Sequence, residues 1–161
     1  LSFPPGRMDT VVYGTNSIIV DYAHTPDALQ KIIETVKPIT KGHIYTVFGC
    51  TGDRERSKRP IMSQIATSLS DFVIMTIDDP HNENISQIMD DMTKDLHAKN
   101  YEVIVDRGDA IEKAISLLEE NDTLLILGKG HEEVIIMKDR LISFNDKEFV
   151  QKCIEKNTIN N

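Results

Sequence analysis

Five short apolar runs in this chain each end in a charged or glycine-rich cluster, and that repetition constrains the fold more than any other feature. Ile18-Ile19-Val20 leads into Asp21-Tyr22-Ala23-His24, Ile44 to Phe48 into Gly49 to Arg54, and Phe72 to Ile77 into Asp78-Asp79-Pro80-His81. Val103-Ile104-Val105 leads into Asp106-Arg107, and Leu124 to Leu127 into Gly128-Lys129-Gly130-His131-Glu132. Amphipathic stretches separate the runs: Pro26 to Val36, Pro60 to Leu69, Ile85 to Leu96 and Asp109 to Leu118, each with apolar residues at helical spacing. Nearly continuous apolar strands alternating with helices predict an α/β fold, Rossmann-like, whose mostly parallel sheet carries helices on both faces. Right-handed crossovers then place every parallel strand's carboxyl end on one rim, where open α/β sheets bind ligands.

Val11 to Tyr13 and Ile18 to Val20, around Gly14-Thr15-Asn16, predict an opening hairpin. A second hairpin (Val134 to Met137, then Leu141 to Phe144) and a helix from Lys147 to Ile154 are expected to close the chain. Pro4-Pro5-Gly6 can hold neither a helix nor a central strand, so residues 1–8 are expected to be a linker and 9–161 a domain. The chain's 161 residues suffice for one core. A start at Leu1 rather than Met, with no signal-peptide pattern, reads as a fragment or processed chain. A net charge of −8 with scattered basic residues argues against nucleic acid. No apolar stretch approaches the ~20 residues that would span a bilayer, so no membrane partner is expected. Cys50 and Cys153 read as two reduced thiols of a cytoplasmic protein.

The clusters carry different chemistry. Gly49-Cys50-Thr51-Gly52-Asp53-Arg54 follows a strand directly, and its glycines permit close backbone approach to a phosphate or carboxylate. Arg54, Arg56, Lys58 and Arg59 make it basic, which from spacing alone fits an anion site and a solvated charge run equally. Arg54, nearest the strand end, is the candidate to hold a carboxylate through two parallel hydrogen bonds. Asp78 and Asp79 suit an ammonium group, with magnesium a rival and a capped turn a third reading. Gly128 to Glu132 lacks the spacing of a phosphate-binding P-loop, and no such loop occurs elsewhere. His24, His81 and His131 with Asp21 and Asp78 invite a metal-hydrolase reading, but their spacing matches no common zinc pattern. No metal ligands are assigned. A nucleophile elbow is also missing.

Together these motifs resemble the carboxyl-terminal domain of the Mur ligases, of the UDP-N-acetylmuramoyl-tripeptide synthetase type. The resemblance runs from Pro5-Gly6-Arg7-Met8 through Asp21 to Leu29, Val47 to Arg54, Lys58-Arg59-Pro60, Asp78-Asp79-Pro80 and Asp106-Arg107 to Gly128 to Glu132. It implies the third domain of a cytoplasmic enzyme of peptidoglycan synthesis, which uses ATP and magnesium to join a diamino acid to UDP-MurNAc-L-Ala-D-Glu. The phosphate loop, the magnesium ligands and a carbamylated lysine would belong to the central domain. The N-terminal and central domains are therefore implied partners, and the isolated fragment is expected to be inactive, with no catalytic residue of its own. By motif, Arg7, Asp21 and His24 would face ATP, Arg7 at the phosphates and Asp21 at the ribose. Arg54 would grip the amino acid's carboxylate, and Asp78, Asp79, Pro80, His81, Gly128 and Glu132 would form the rest of its pocket.

One departure from the family pattern bears on the substrate. Enzymes of this type that add meso-diaminopimelate usually read Asp-Asn-Pro-Arg, the arginine holding the distal carboxylate. Here the stretch is Asp78-Asp79-Pro80-His81. A second carboxylate would face Asp78, Asp79 and Glu132, and like charges in a shielded pocket repel. The expectation is therefore L-lysine, with diaminopimelate as the alternative within the family and a stand-alone small-molecule-binding module as the alternative outside it.

Overall fold

The computed structural model describes residues 7–160, with the side chains of 159 and 160 left out. Most of the expected linker, residues 1–6, lies outside that range. Eight strands and five α-helices follow in the order β1 (Asp9–Tyr13), β2 (Asn16–Asp21), α1 (Pro26–Val36), β3 (Ile44–Phe48), α2 (Lys58–Leu69), β4 (Phe72–Met75), α3 (Ile85–Thr93). Next come β5 (Tyr101–Val103), α4 (Arg107–Leu117), β6 (Thr123–Leu127), β7 (Val134–Ile136), β8 (Leu141–Ser143) and α5 (Asp146–Asn160). Six strands form one sheet in the order β1-β2-β6-β3-β4-β5, and β7 pairs with β8 in a separate hairpin. Only β1 is antiparallel to its neighbour within the large sheet. The carboxyl ends of β2, β6, β3, β4 and β5 therefore share one rim, as the sequence predicts.

Strand periodicity divides the core. Every residue of β6 is buried. Leu125 and Leu127 pack with Leu29, Ile33 and Val36 of α1 and Met62 of α2, while Leu124 and Ile126 pack with Ala110, Ile111 and Ile115 of α4 and Val150 of α5. A run of apolar side chains alternating between two covered faces is what a parallel strand requires. Helix α1 has the predicted bounds because Thr25, extended at φ −120°, accepts the Ala28 N–H through its hydroxyl, and Pro26 occupies the first turn.

The structure corrects several boundaries. The edge strand β5 runs Tyr101–Val103, not Val103 to Val105. The Asn100 amide donates to the carbonyls of Thr67, at 2.9 Å, and Ser70, at 3.1 Å, which pins the strand's start two residues early. At an edge the apolar pattern is a weak guide, because Val103 and Val105 stay 37% and 46% exposed. Helix α4 begins at Arg107 rather than Asp109, since Asp106 caps it by accepting the Asp109 N–H at 2.8 Å. Helix α3 stops at Thr93, short of Leu96, and α5 extends well past Ile154.

Candidate functional site

Two cavities meet at His24, the exposed residue between β2 and α1. One, of about 290 Å³, is lined by Arg7, Met8, Asp21, Tyr22, Ala23, His24, Lys31 and neighbouring residues of α1. The other, of about 380 Å³, is lined by His24, Thr25, Cys50, Thr51, Arg54, Glu55, Lys58, Arg59 and Met62. The His24 Nδ1 lies 2.7 Å from the Tyr22 carbonyl. A carbonyl can only accept, so Nδ1 carries hydrogen and Nε2 is left for a ligand. The three residues expected to face ATP thus line one cavity, and Arg54 lines its neighbour.

Asp21 is the last residue of β2 and is almost wholly buried. Its two carboxylate oxygens accept the N–H groups of Ala23 at 2.8 Å and Met8 at 2.7 Å. Met8 sits at φ +47°, a left-handed conformation that a non-glycine residue holds only when its surroundings enforce it. Asp21 supplies that enforcement, so one side chain shapes both the entry of the chain and the loop bearing His24.

The second cavity rests on two loops joined edge to edge. The Gly52 N–H donates to the Asp79 carbonyl at 2.7 Å, and a side chain at Gly52 would collide with the Pro80 backbone. The Thr51 hydroxyl donates to Asp78 at 3.3 Å. The Asp53 N–H donates to Glu83 at 3.0 Å, and Asp53 in turn accepts the Asn82 N–H at 3.2 Å. Arg59 lies beneath, 2% exposed, its guanidinium held by Glu83 and Asp91 and donating to the Thr51 carbonyl at 3.1 Å. Hydrogen bonds from Arg59 hold the Glu83 carboxyl below its usual range, and those from Arg56, with Gln87 and Arg59, hold Asp91 down to about 2. Arg54 itself is exposed and has no ion-pair partner among the described residues. Its fork is available for a carboxylate. Cys50 is buried, which pushes its thiol up to about 12 and leaves it without nucleophilic character.

The expected acid cup is built differently from the sequence expectation. Asp79 is buried, and its Oδ1 accepts the Lys129 ammonium at 2.7 Å and the Ile136 N–H at 2.9 Å. Glu132 lies 3.4 Å from the same ammonium with its side chain 40% exposed. Asp78 is 3% exposed, its Oδ1 accepts the Asp79 N–H at 2.7 Å, and its Oδ2 has no partner. Burial raises the Asp78 carboxyl, opposed by Arg107 and Lys129. Gly128, at φ +111° just past the end of β6, lies against that Oδ2, and any Cβ there would strike it. Thus Asp78 and Gly128 touch, and Asp79, Lys129 and Glu132 form one chain of charge. None of these lines the two cavities beside His24. His81, half-buried at φ +52°, is held by its N–H to the Ile136 carbonyl at 3.0 Å. Among the described residues no three His, Cys, Asp or Glu side chains lie together as a metal site.

Four participants escape a reading of motifs alone. Lys129 reads as part of a glycine loop, yet it neutralises Asp79 from 50 residues away in sequence. Arg107 reads as a rim cation but is fully buried, paired with Asp146 at 2.7 Å and donating to the carbonyls of Ile77 and Leu127 at 2.8 and 3.2 Å. Glu83 and Arg59 carry one available signal: Arg59, Met62, Ser63 and Ala66 share the buried face of α2, so a charge stands in phase with an apolar stripe.

A family model described as Mur ligase, glutamate ligase domain, matches residues 6–130. The UDP-N-acetylmuramoyl-L-alanyl-D-glutamate–2,6-diaminopimelate ligase of Clostridium tetani is 43% identical over 97% of this chain and 33% of its own length. The enzyme of that name from Bacillus cereus is 44% identical over 93% of this chain and 31% of its own. This chain therefore spans about a third of the relatives it matches. A solved structure titled as the same ligase superposes with a TM-score of 0.91 at 36% identity, covering 98% of this chain and 33% of that one. The Thermotoga maritima UDP-N-acetylmuramate-alanine ligase MurC, at 22% identity and a TM-score of 0.64, shares the fold. On the family match, the sequence identity and the superposition together, the chain belongs to the Mur ligase family and is its C-terminal domain.

Proposed function

We propose that this domain serves an ATP-dependent ligase that joins a diamino acid to UDP-MurNAc-L-Ala-D-Glu. The observation that carries the reading is the pair of cavities sharing His24. One is lined by Arg7, Lys31 and His24, donors suited to a polyphosphate. The other presents Arg54 on a rigid loop, suited to an amino acid's carboxylate. Such a ligase phosphorylates the glutamate side-chain carboxylate, and the amino acid's amine then displaces phosphate through a tetrahedral intermediate. That chemistry needs the nucleotide and the amine within reach of each other, and adjacent cavities support it. The phosphate loop and magnesium ligands would come from the central domain of the longer enzyme, and the N-terminal domain would hold the UDP-MurNAc-dipeptide.

Of the two diamino acids, diaminopimelate is the better supported. The L-lysine expectation rests on repulsion of a second carboxylate by Asp78, Asp79 and Glu132. Asp79 is instead neutralised by Lys129, and burial pushes Asp78 towards its uncharged form. Diaminopimelate is also the amino acid named for the Clostridium and Bacillus relatives. One observation keeps L-lysine as the second reading: His81 stands where the family's diaminopimelate enzymes carry arginine. Steady-state kinetics of the full-length enzyme with each amino acid decide between them. A higher kcat/KM for diaminopimelate is expected, preference for L-lysine would establish the second reading, and ligation of neither would end the proposal of a ligase.

A further inference from the structure

Arg54 and His81 sit on different loops, Gly49 to Arg54 after β3 and Asp78 to Asn84 after β4. In the reading above, which the following rests on, they meet opposite ends of the amino acid. Their separation then acts as a ruler for its length. The backbone bond from the Gly52 N–H to the Asp79 carbonyl sets the inner part of that separation. The outer part, where Arg54 and His81 themselves lie, is set by a carboxylate: Glu83 Oε1 accepts the Asp53 N–H at 3.0 Å and the Arg59 guanidinium at 2.7 Å. The same guanidinium holds the Thr51 carbonyl, so a single rigid group fixes the loop on both sides of Gly52. Asp53 and His81 are both left-handed, at φ +56° and +52°. Asp and His tolerate this region better than most L-residues but still at some cost, and the hydrogen bonds around them offset it. Asp53 ties them together by accepting both N–H groups of Asn82, the backbone one at 3.2 Å and the side-chain one at 3.3 Å.

We infer that Glu83, clamped by the buried Arg59, is a positioning residue that sets amino-acid specificity by fixing the distance between the Arg54 and His81 loops. It touches no reacting atom. Asp91 offers a built-in contrast, since it also pairs with Arg59, at 3.0 Å, but its carboxylate accepts only from the side chains of Arg56, Arg59 and Gln87 and reaches the backbone of neither loop.

The test uses the full-length enzyme and three proteins: wild type, Glu83→Gln and Asp91→Asn. For each, kcat and KM are measured with L-lysine, meso-diaminopimelate and ATP, and the melting temperature is recorded. Glu83→Gln keeps the shape but turns an amide N–H towards donors. It should raise the KM of the preferred amino acid and shrink the kcat/KM ratio between the two amino acids by about tenfold, with the KM for ATP unchanged. Asp91→Asn should lower the melting temperature and leave that ratio alone. A loss of folded protein scales both amino acids equally and cannot move the ratio. If Glu83→Gln keeps the wild-type ratio and amino-acid KM, or if Asp91→Asn shifts them as much, the clamp is refuted. A wild-type enzyme that ligates neither amino acid removes the functional reading itself, and the ruler with it.

Discussion

Two buried arginines hold the two halves of this rim, and their surroundings differ in an informative way. Arg107, at the start of α4, is fully buried with its partner Asp146, and every group it touches belongs to the scaffold: Asp146 of α5 and the carbonyls after β4 and at the end of β6. Burial pulls its pKa down, and the charge and hydrogen bonds of Asp146, joined by the charges of Asp78 and Asp79, together more than offset this and hold it above the usual arginine value. Arg59, on α2, is as deeply buried but binds two carboxylates and a loop carbonyl, and it borders the larger cavity. The first arginine is a bolt between helices; the second is a brace for loops. Similar chemistry therefore serves stability in one place and geometry in the other. The deciding factor is whether the partner side chains also reach the backbone of a site loop.

The largest effect expected from breaking this contrast is on the bolt. Asp146→Ala strands a guanidinium in a site closed to solvent, and removing one member of a buried ion pair costs about 3–5 kcal/mol. Urea unfolding of the domain would show it as a fall in midpoint at constant slope. A loss below about 1 kcal/mol would mean that the two carbonyls alone satisfy Arg107. Glu83→Gln should have a smaller effect on stability, about 1–2 kcal/mol, because Asp91 still balances Arg59. If Glu83→Gln destabilised as much as Asp146→Ala, brace and bolt would be the same device and the contrast would vanish.

Much of this architecture is legible in the sequence because parallel strands advertise themselves. The all-apolar run of β6 and the Thr25-Pro26 start of α1 are local signals that tertiary contacts reinforce. Arg54 at the edge of a cavity and Asp21 at a strand's end follow from the same logic. The bolt and the brace do not follow, because each depends on a partner far along the chain: Asp146 lies 39 residues from Arg107, and Glu83 24 from Arg59. The Lys129–Asp79 pair has the same origin, and missing it made the cup look more acidic than it is. Charge counted along a sequence is not charge felt in a pocket, since burial selects which acids acquire a partner.

The smallest effect sharpens the contrast through pH. The Arg56 hydrogen bonds hold the folded Asp91 carboxyl at about 2 against its ordinary 3.8. The folded state thus binds that proton more weakly than the unfolded chain does. Its contribution is complete above about pH 4 and is lost as pH falls through about 2, and solvent screening limits it to about 1 kcal/mol. Asp78 has the opposite sign. Burial raises its folded value above 3.8, so its contribution is complete below that pH and is lost as pH rises through the folded value. Urea titrations between pH 2 and pH 7 should separate the two acids. Asp91→Asn should be less stable than wild type at neutral pH, with the gap narrowing as the solution is acidified. Asp78→Asn, which copies the protonated carboxyl, should compare best with wild type at neutral pH and lose that advantage in acid. If the two variants showed gaps of the same sign and slope, burial would not separate the acid beside Gly128 from the acid beside the brace.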